Sequence, residues 1–337
     1  MRVWVVTRGG TSIEDLRQVD RPDPLPRPGQ VIVLVRAAAL NRRDQAVATG
    51  TYFGRPVARD LVPLSDAAGE VAAVGSGVTR FKPGDRVVAT FFQVPPDGPP
   101  SASRESLGNP LDGMLVEKAA LYEDGLLSMP EGLSFEEAAC LPCAGVTAWN
   151  ALMVAGRPTR VGDTVLVLGT GGVAVFALQF AAAAGARVIA TSSSDAKLER
   201  ARSLGASGGV NYRRTPDWDK EVLKLTDGRG VDCVVEVGGV GTLEKSLETL
   251  APGGKVCLIG VLTGIRAEIN PYALMWKTGT MHGIRVGSTE TFAQMNRAIE
   301  ISRIRPVIDR IFPFDRAVDA FRYQASGEFV GKIVIAI

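Results

Sequence analysis

The stretch VLVLGTGGVAVFALQFAAAAGARVIATSSS, residues 165–194, decides how the rest of the chain is read. Val165 to Gly169 is a strand-like apolar run, Val173 to Ala184 has the length and alanine content of a helix, and Val188 to Thr191 is a second strand. Gly185 closes the helix, because glycine accepts the left-handed conformation that ends helices. At the junction of strand and helix stands Gly169-x-Gly171-x-x-Ala174. Gly169 permits a tight turn, Gly171 lets the backbone approach a pyrophosphate, and Ala174 allows helix to pack closely on strand, with the helix N-terminus facing the phosphates. The spacing predicts a dinucleotide site built from Gly169, Thr170, Gly171, Gly172 and Val173. An ordinary glycine-rich turn is the competing reading, and the flanking strand, helix and second strand weigh against it.

Outward from this motif the pattern repeats. Strand-like runs occur at Val165–Gly169, Val188–Thr191, Gly209–Tyr212, Val231–Val237, Lys255–Gly260 and Met281–Val286, with helix-like segments at Val173–Ala184, Ala196–Leu204, Lys220–Thr226 and Leu243–Leu250. Strands alternating with helices predict a doubly wound parallel sheet of the Rossmann α/β class. The first 120 residues differ: Val31–Val35, Glu70–Val74 and Gly84–Val87 alternate between Pro and Gly turns, as in a small, mostly antiparallel β domain. The Pro-, Gly- and Ser-rich segment from Phe91 to Gly113 reads as a long surface loop. From Ser288 onward come a helix, the strand-like VIDRIFPF, another helix and a closing KIVIAI.

Composition bounds the function. The 337 residues are 46% hydrophobic and 22% charged, ordinary for two globular domains. A net charge of +2 gives no overall field to draw the chain to nucleic acid or a lipid surface. No apolar run reaches the length of a membrane span, and the opening MRVWVVTRGG lacks the features of a signal peptide. Cysteines at 140, 143, 233 and 257, the last two inside strand-like runs, suit a reducing cytoplasm. Cys140-x-x-Cys143 has no second pair to complete a metal site, so two small buried residues are the expectation. The sole histidine, His282, falls in the last strand-like run, where a structural role is expected.

Cofactor preference is read at the end of the second strand. NAD-specific sites place an acid there for the ribose hydroxyls, whereas this chain has Ser192, Ser193 and Ser194, with Lys197 close by. Hydroxyls and an ammonium donate to a 2′-phosphate, so NADP(H) is expected, with NAD(H) as the alternative. Asp195 argues the other way, and a merely solvated Lys197 is the competing reading. Gly238, Gly260 and Leu262 follow strand ends at the carboxyl edge, where such sheets bind ligands.

The order of a β domain, then Pro83-Gly84-Asp85-Arg86-Val87, Leu141-Pro142-Cys143-Ala144-Gly145-Val146-Thr147-Ala148-Trp149 and Gly169-Thr170-Gly171-Gly172-Val173 resembles the medium-chain dehydrogenase/reductase superfamily over essentially the whole chain. Within it the chain is most similar to quinone oxidoreductases and zinc-less NADP-dependent alcohol dehydrogenases. The resemblance implies a GroES-like catalytic domain of residues 1–122 and 288–337 around a Rossmann domain of residues 123–287. Zinc-dependent relatives draw ligands from positions matching Asn41, Ser65 and Cys143, a poor set for zinc. Residues 91–113 contain no cysteine for a structural zinc lobe, and no metal is expected. By resemblance Asn41 and Asp44 line the cleft, Thr147 lies against the nicotinamide, Tyr212 flanks the adenosine 2′-phosphate, and Lys332 is a weaker candidate for that neighbourhood. Asn41 would donate to the substrate oxygen, with Asp66 orienting it or relaying a proton. Capping turns within the β domain is the competing role for Asp44 and Asp66. Tyr52, Phe53, Phe91 and Phe92 suit either an apolar substrate wall or core packing. Zinc-less alcohol dehydrogenases often carry Arg where this chain has Thr289, which leaves that residue's contacts without a counterpart.

The expected function is hydride transfer between NADP(H) and a small carbonyl, alcohol or quinone-like substrate. An enoyl reductase on the same scaffold and a non-catalytic NADPH-binding sensor are the alternatives. The edge run Lys277–Val286 suggests a homodimer, since proteins often cover an unpaired strand with a second copy.

Overall fold

In the computed structural model, which describes residues 1–93, 105–264, 266 and 268–337, the glycine turn follows a strand deep inside a six-stranded sheet. The spatial order is Gly208–Asn211, Arg187–Ser192, Thr164–Leu168, Val231–Glu236, Leu250–Leu258, Thr280–Gly283, with every neighbour parallel. Parallel neighbours need crossover connections, here the helices Gly172–Ala183, Asp195–Ser203, Trp218–Leu225, Leu243–Glu248 and Tyr272–Trp276. Strand order reverses between Thr164–Leu168 and Val231–Glu236, and ligands of such sheets bind at the carboxyl ends beside that reversal. The helix Gly172–Ala183 buries Ala174 through Leu178, Phe180 and Ala181. Apolar on nearly every side, it is a helix enclosed by its neighbours. Leu166, Ile189, Val234 and Val256 form the core beneath.

All six expected strands are present. The fifth begins earlier, at Leu250, because that residue pairs with Val231 before a register shift. The last is shorter, ending at Gly283.

Contacts divide the chain into one unit of Met1–Cys143 with Ser288–Ile337 and another of Ala144–Gly287. The first boundary therefore falls after Cys143, not at 122/123. Strand Leu126–Ser128 pairs with Arg86–Ala89, and helix Phe135–Ala139 packs on strands Gln30–Ala39 and Asp66–Val74. Both belong to the first unit's structure.

That unit is built on a sheet ordered Ile308–Pro313, Lys332–Ala336, Gln30–Ala39, Asp66–Val74, Arg86–Ala89, Leu126–Ser128, with Lys118–Tyr122 also on Gln30–Ala39. Only the first pair is parallel. The C-terminal strand matters most for positioning side chains: Val334 lies opposite Ala39, which brings residue 332 to the end of the strand carrying residues 30–39. Val33, Val35, Leu64, Leu115, Phe321, Ile333 and Ile335 fill the core. The segment expected as a surface loop is anchored at its described ends, where Phe92–Gln93 pairs with Glu105–Ser106 and Leu107 is buried. Residues 94–104 of that segment lie outside the described residues. Among the described residues no helix is long and apolar enough to cross a membrane.

Candidate active site

Gly169 and Gly171 are glycines for different reasons. Gly169 turns the chain out of the strand at φ +79°, a conformation that side chains rarely adopt. Gly171 is extended, at φ −77° and ψ −176°, which any residue accepts. A Cβ at Gly171 would meet no protein atom within 4 Å, so neither conformation nor packing requires glycine there. What the missing side chain leaves is open space over the first turn of helix Gly172–Ala183, whose unpaired N–H groups attract anions. Gly238 and Gly260 contrast with it, since a Cβ would lie 2.2 Å from Thr242 Oγ1 and 2.1 Å from Val237 O respectively. Their own chain explains them.

The loop after strand Val231–Glu236 depends on a residue that sequence reasoning missed. Glu236 is fully buried. Its Oε1 accepts from Gly238 N–H (2.7 Å), Gly239 N–H (3.0 Å) and the Thr242 hydroxyl (2.6 Å), and Oε2 accepts from the Ser246 hydroxyl. An acid inside the apolar run VDCVVEVGG was the signal for it. Leu262, on the facing loop, is exposed. Thr147 is buried in helix Val146–Trp149, followed by a π-helical turn Asn150–Val154. Lys255, itself buried, anchors that turn by donating to the Ala151 and Ala155 carbonyls, each at 2.7 Å, as a cation should at a helix C-terminus.

At the end of strand Arg187–Ser192, Ser192 is buried and Ser193 half-buried. Lys197 lies in the first turn of helix Asp195–Ser203. Asp195, the acid that begins this helix, is already engaged: it accepts from Asn211 Nδ2 and pairs with Arg214, both at 2.9 Å. Tyr212 is exposed and begins the run Tyr212-Arg213-Arg214, whose two arginines sequence reasoning also missed.

The first unit gathers Asn41, Ser65, Asp66, Cys143 and Lys332. Asp66, fully buried, accepts from the Ser65 hydroxyl at 2.6 Å and from the Cys143 backbone N–H at 3.1 Å. Lys332 Nζ donates to Asn41 Oδ1 and Leu40 O, both at 2.6 Å, and stands 3.7 Å from Asp66. Asn41 Nδ2 reaches Ser65 Oγ at 3.5 Å. Leu64, just before this pair of residues, is held at φ +70°, a strained conformation for a bulky side chain. Lys332 is thus enclosed, with its ammonium taken up by Leu40 and Asn41 and close to Asp66.

Asp44 caps the helix Arg42–Ala48 by accepting the Asn41 backbone N–H at 2.7 Å. Burial pushes its carboxyl up to about 6, reinforced by Asp66 and opposed by Arg43. Arg43 is locked in place: it donates to Leu107 O, Asn109 O and Ser106 Oγ and its guanidinium lies over the rings of Tyr52 (5.2 Å) and Phe91 (4.8 Å). Phe91 and Phe92 are core residues, Phe53 is exposed, and Tyr52 is half-buried.

Comparison with known proteins decides the family. Residues 27–131 match the alcohol dehydrogenase GroES-like domain and residues 172–300 the zinc-binding dehydrogenase domain. A zinc-type alcohol dehydrogenase-like protein of Schizosaccharomyces pombe is 44% identical over 92% of this chain and 91% of its own length. The chain belongs to the medium-chain dehydrogenase/reductase superfamily. Human quinone oxidoreductase is 29% identical over 99% of this chain and 97% of its own. The solved structure of an NAD-dependent alcohol dehydrogenase is 34% identical, covers 100% of both chains and superposes with a TM-score of 0.91. The superfamily's architecture, a GroES-like domain with a Rossmann domain, is that of the chain's two units, and the chain is an oxidoreductase of this superfamily.

Zinc is implied by the names of these relatives, yet the residues at the ligand positions do not fit it. The Asn41 amide oxygen accepts from the Lys332 ammonium, the Ser65 hydroxyl donates to Asp66, and burial pushes the Cys143 thiol up, away from the thiolate that zinc needs. Among the described residues no group of three or more His, Cys, Asp or Glu side chains is arranged to hold a metal ion. Cys140 is buried, its thiol pushed up to about 12, and His282 pairs with Thr280 in the edge strand at 3.0 Å.

Proposed function

We propose that this oxidoreductase works without metal, uses NADP(H), and moves hydride between the nicotinamide and a small carbonyl, alcohol or quinone-like substrate. The observation that carries this reading is the open space at Gly171, a glycine required by nothing in the protein and placed where a parallel sheet reverses its strand order. When bound, the cofactor supplies or accepts the hydride.

The chain's own residues do the rest. Backbone groups of Gly169, Thr170, Gly171, Gly172 and Val173 hold the diphosphate, and Thr147 together with the Gly238 and Gly260 loops bounds the nicotinamide, with Leu262 as an apolar cover. NADP(H) over NAD(H) is supported by Ser192 and Ser193 in place of an acid, by Lys197 and Tyr212 nearby, and by the engagement of Asp195 with Arg214. Asn41 is 9% exposed whereas Asp66 and Asp44 are enclosed, so Asn41 is the group that touches the substrate oxygen. A preorganised N–H donor there stabilises charge that develops on that oxygen. Asp66 acts through Asn41 and Ser65, and Asp44 fixes the helix that begins at Asn41. Tyr52 walls the substrate from one side.

The test is NADPH oxidation by the purified chain against quinones, enones, aldehydes and an enoyl thioester. Turnover with a quinone or aldehyde supports the reading. Turnover with the enoyl thioester alone overturns the substrate class, and tight NADPH binding without any acceptor turns the reading toward a sensor. We also propose a homodimer formed through the edge strand Thr280–Gly283, beside which Trp276 and Met275 are 73% and 65% exposed.

A further inference from the structure

The turn that follows strand Gly208–Asn211 is tied to the end of strand Arg187–Ser192. Ser192 stands in register with Asn211, and the Tyr212 N–H donates to the Ser192 carbonyl at 3.0 Å. The turn closes on Asn211, whose backbone carbonyl accepts the Arg214 and Thr215 N–H groups at 3.1 and 2.8 Å. The Asn211 side chain is buried and used at both ends: Oδ1 accepts the Arg213 N–H at 3.1 Å, and Nδ2 donates to Asp195 Oδ1 at 2.9 Å. Arg214 takes the other oxygen of that carboxylate, with Nη1 2.9 Å from Asp195 Oδ2. Both oxygens of Asp195 therefore have a donor. The Arg214 and Asp195 side chains are 72% and 56% exposed, and an exposed ion pair adds little to stability. Holding the fold together does not explain this one.

We infer that Arg214 sets the cofactor preference indirectly, by occupying Asp195, an acid that would otherwise favour NAD(H). Sites that take NAD(H) present a carboxylate at the end of the second strand, where it accepts from the ribose hydroxyls and repels a 2′-phosphate. Asp195 begins the helix just past that strand end, so the chain keeps an acid beside the place that Ser192 and Ser193 hold. Asn211 and Arg214 engage its two oxygens, and the guanidinium offsets its charge. Without Arg214, Oδ2 is open to a ribose hydroxyl and the charge is uncompensated. Arg214 is thus a specificity residue that acts through Asp195, a different part from that proposed for Lys197 and Tyr212 at the phosphate itself. The inference rests on the proposed dinucleotide site and names what decides between its two cofactors.

Calorimetric titration of the full chain with NADPH and with NADH, on the wild type and a set of variants, tests this. Arg214→Ala should unfold at the wild-type temperature, since the pair is exposed. It should weaken NADPH by about fivefold, the size of one charge–charge interaction at contact distance in water, and tighten NADH by about as much. Arg214→Lys keeps the charge and should retain the wild-type ratio of the two affinities. Arg213→Ala removes the same charge from the adjacent residue but leaves Asp195 engaged, so NADH should not tighten. With asparagine at 195 there is no carboxylate to release, and D195N/R214A should bind NADH no more tightly than Asp195→Asn alone. Loss of NADPH affinity by the same factor in both backgrounds, with NADH unchanged, overturns the inference, because Arg214 then meets the phosphate directly. Equal NADH gains in Arg213→Ala and Arg214→Ala, or no change in either cofactor for Arg214→Ala, overturn it as well. A wild-type chain that prefers NADH contradicts the NADP(H) reading alone, since the direction of the NADH change in Arg214→Ala still decides what Arg214 does. Binding of neither dinucleotide removes the site and this inference with it.

Discussion

Replacing Gly171 with alanine separates a glycine kept for a ligand from one kept for the fold. The residue is extended and a Cβ there meets nothing within 4 Å, so the unliganded protein has no reason to notice the methyl group. Stability should hold, or rise by about 0.4–1 kcal/mol because the unfolded chain loses freedom. Gly169→Ala is the control. At φ +79°, alanine costs about 1–2 kcal/mol, and that loss should appear in denaturant unfolding. Binding should respond in Gly171→Ala even though stability does not. A methyl group in the diphosphate's place costs one charge-assisted hydrogen bond, about 1.5–3 kcal/mol, or about tenfold to 150-fold in Kd for NADPH. Urea unfolding followed by tryptophan fluorescence gives the first quantity, and calorimetric titration gives the second. If Gly171→Ala loses stability while its Kd is unchanged, the glycine serves packing and the turn does not hold the diphosphate.

Burial raises the Asp44 carboxyl from 3.8 to about 6, so folding favours its protonated form. That preference is free below about pH 4 and becomes a growing cost as pH rises to about 6. Relative to Asp44→Asn, the wild-type chain should therefore lose about 3 kcal/mol between those values; urea unfolding of both proteins across that range checks this, and a constant difference refutes it. Glu236→Ala leaves the Gly238 and Gly239 N–H groups without their acceptor, at about 1–3 kcal/mol for each buried group. Amide exchange at both glycines should quicken, whereas Glu236→Gln, which keeps the shared oxygen, should remain slow; equal rates in the two variants would sink the claim. Lys197→Ala should weaken NADPH by about tenfold to 150-fold and leave NADH nearly unchanged, so equal losses by titration would remove Lys197 from the phosphate site. Light scattering should give a dimeric mass, and a monomer would end the edge-strand proposal.

The parallel sheet was legible because its signals are local. Continuous apolar runs, glycines at helix ends and the turn at 169–172 each lie within a few residues, and the observed strands match the expected ones apart from their ends. The first unit was harder to read for the same reason. Its decisive contact, Lys332 with Asn41, spans 291 residues in sequence and depends on Lys332–Ala336 pairing beside Gln30–Ala39, which no local pattern announces. Nothing in the sequence marked Arg43 as enclosed, because its partners Ser106, Leu107 and Asn109 belong to a segment whose composition reads as loop. Glu236 carried a readable signal, an acid within an apolar strand, but the glycines after it drew the functional reading instead. Residues 123–143 went to the wrong unit because a short strand and a one-turn helix suit either neighbour until their pairing with Arg86–Ala89 and Gln30–Ala39 is seen.

The most direct measurement is calorimetric titration of the full chain with NADPH and, separately, with NADH. One saturable site per chain that takes NADPH more tightly than NADH is the expected result. Heat no different from dilution for both dinucleotides would contradict a dinucleotide site at the glycine turn.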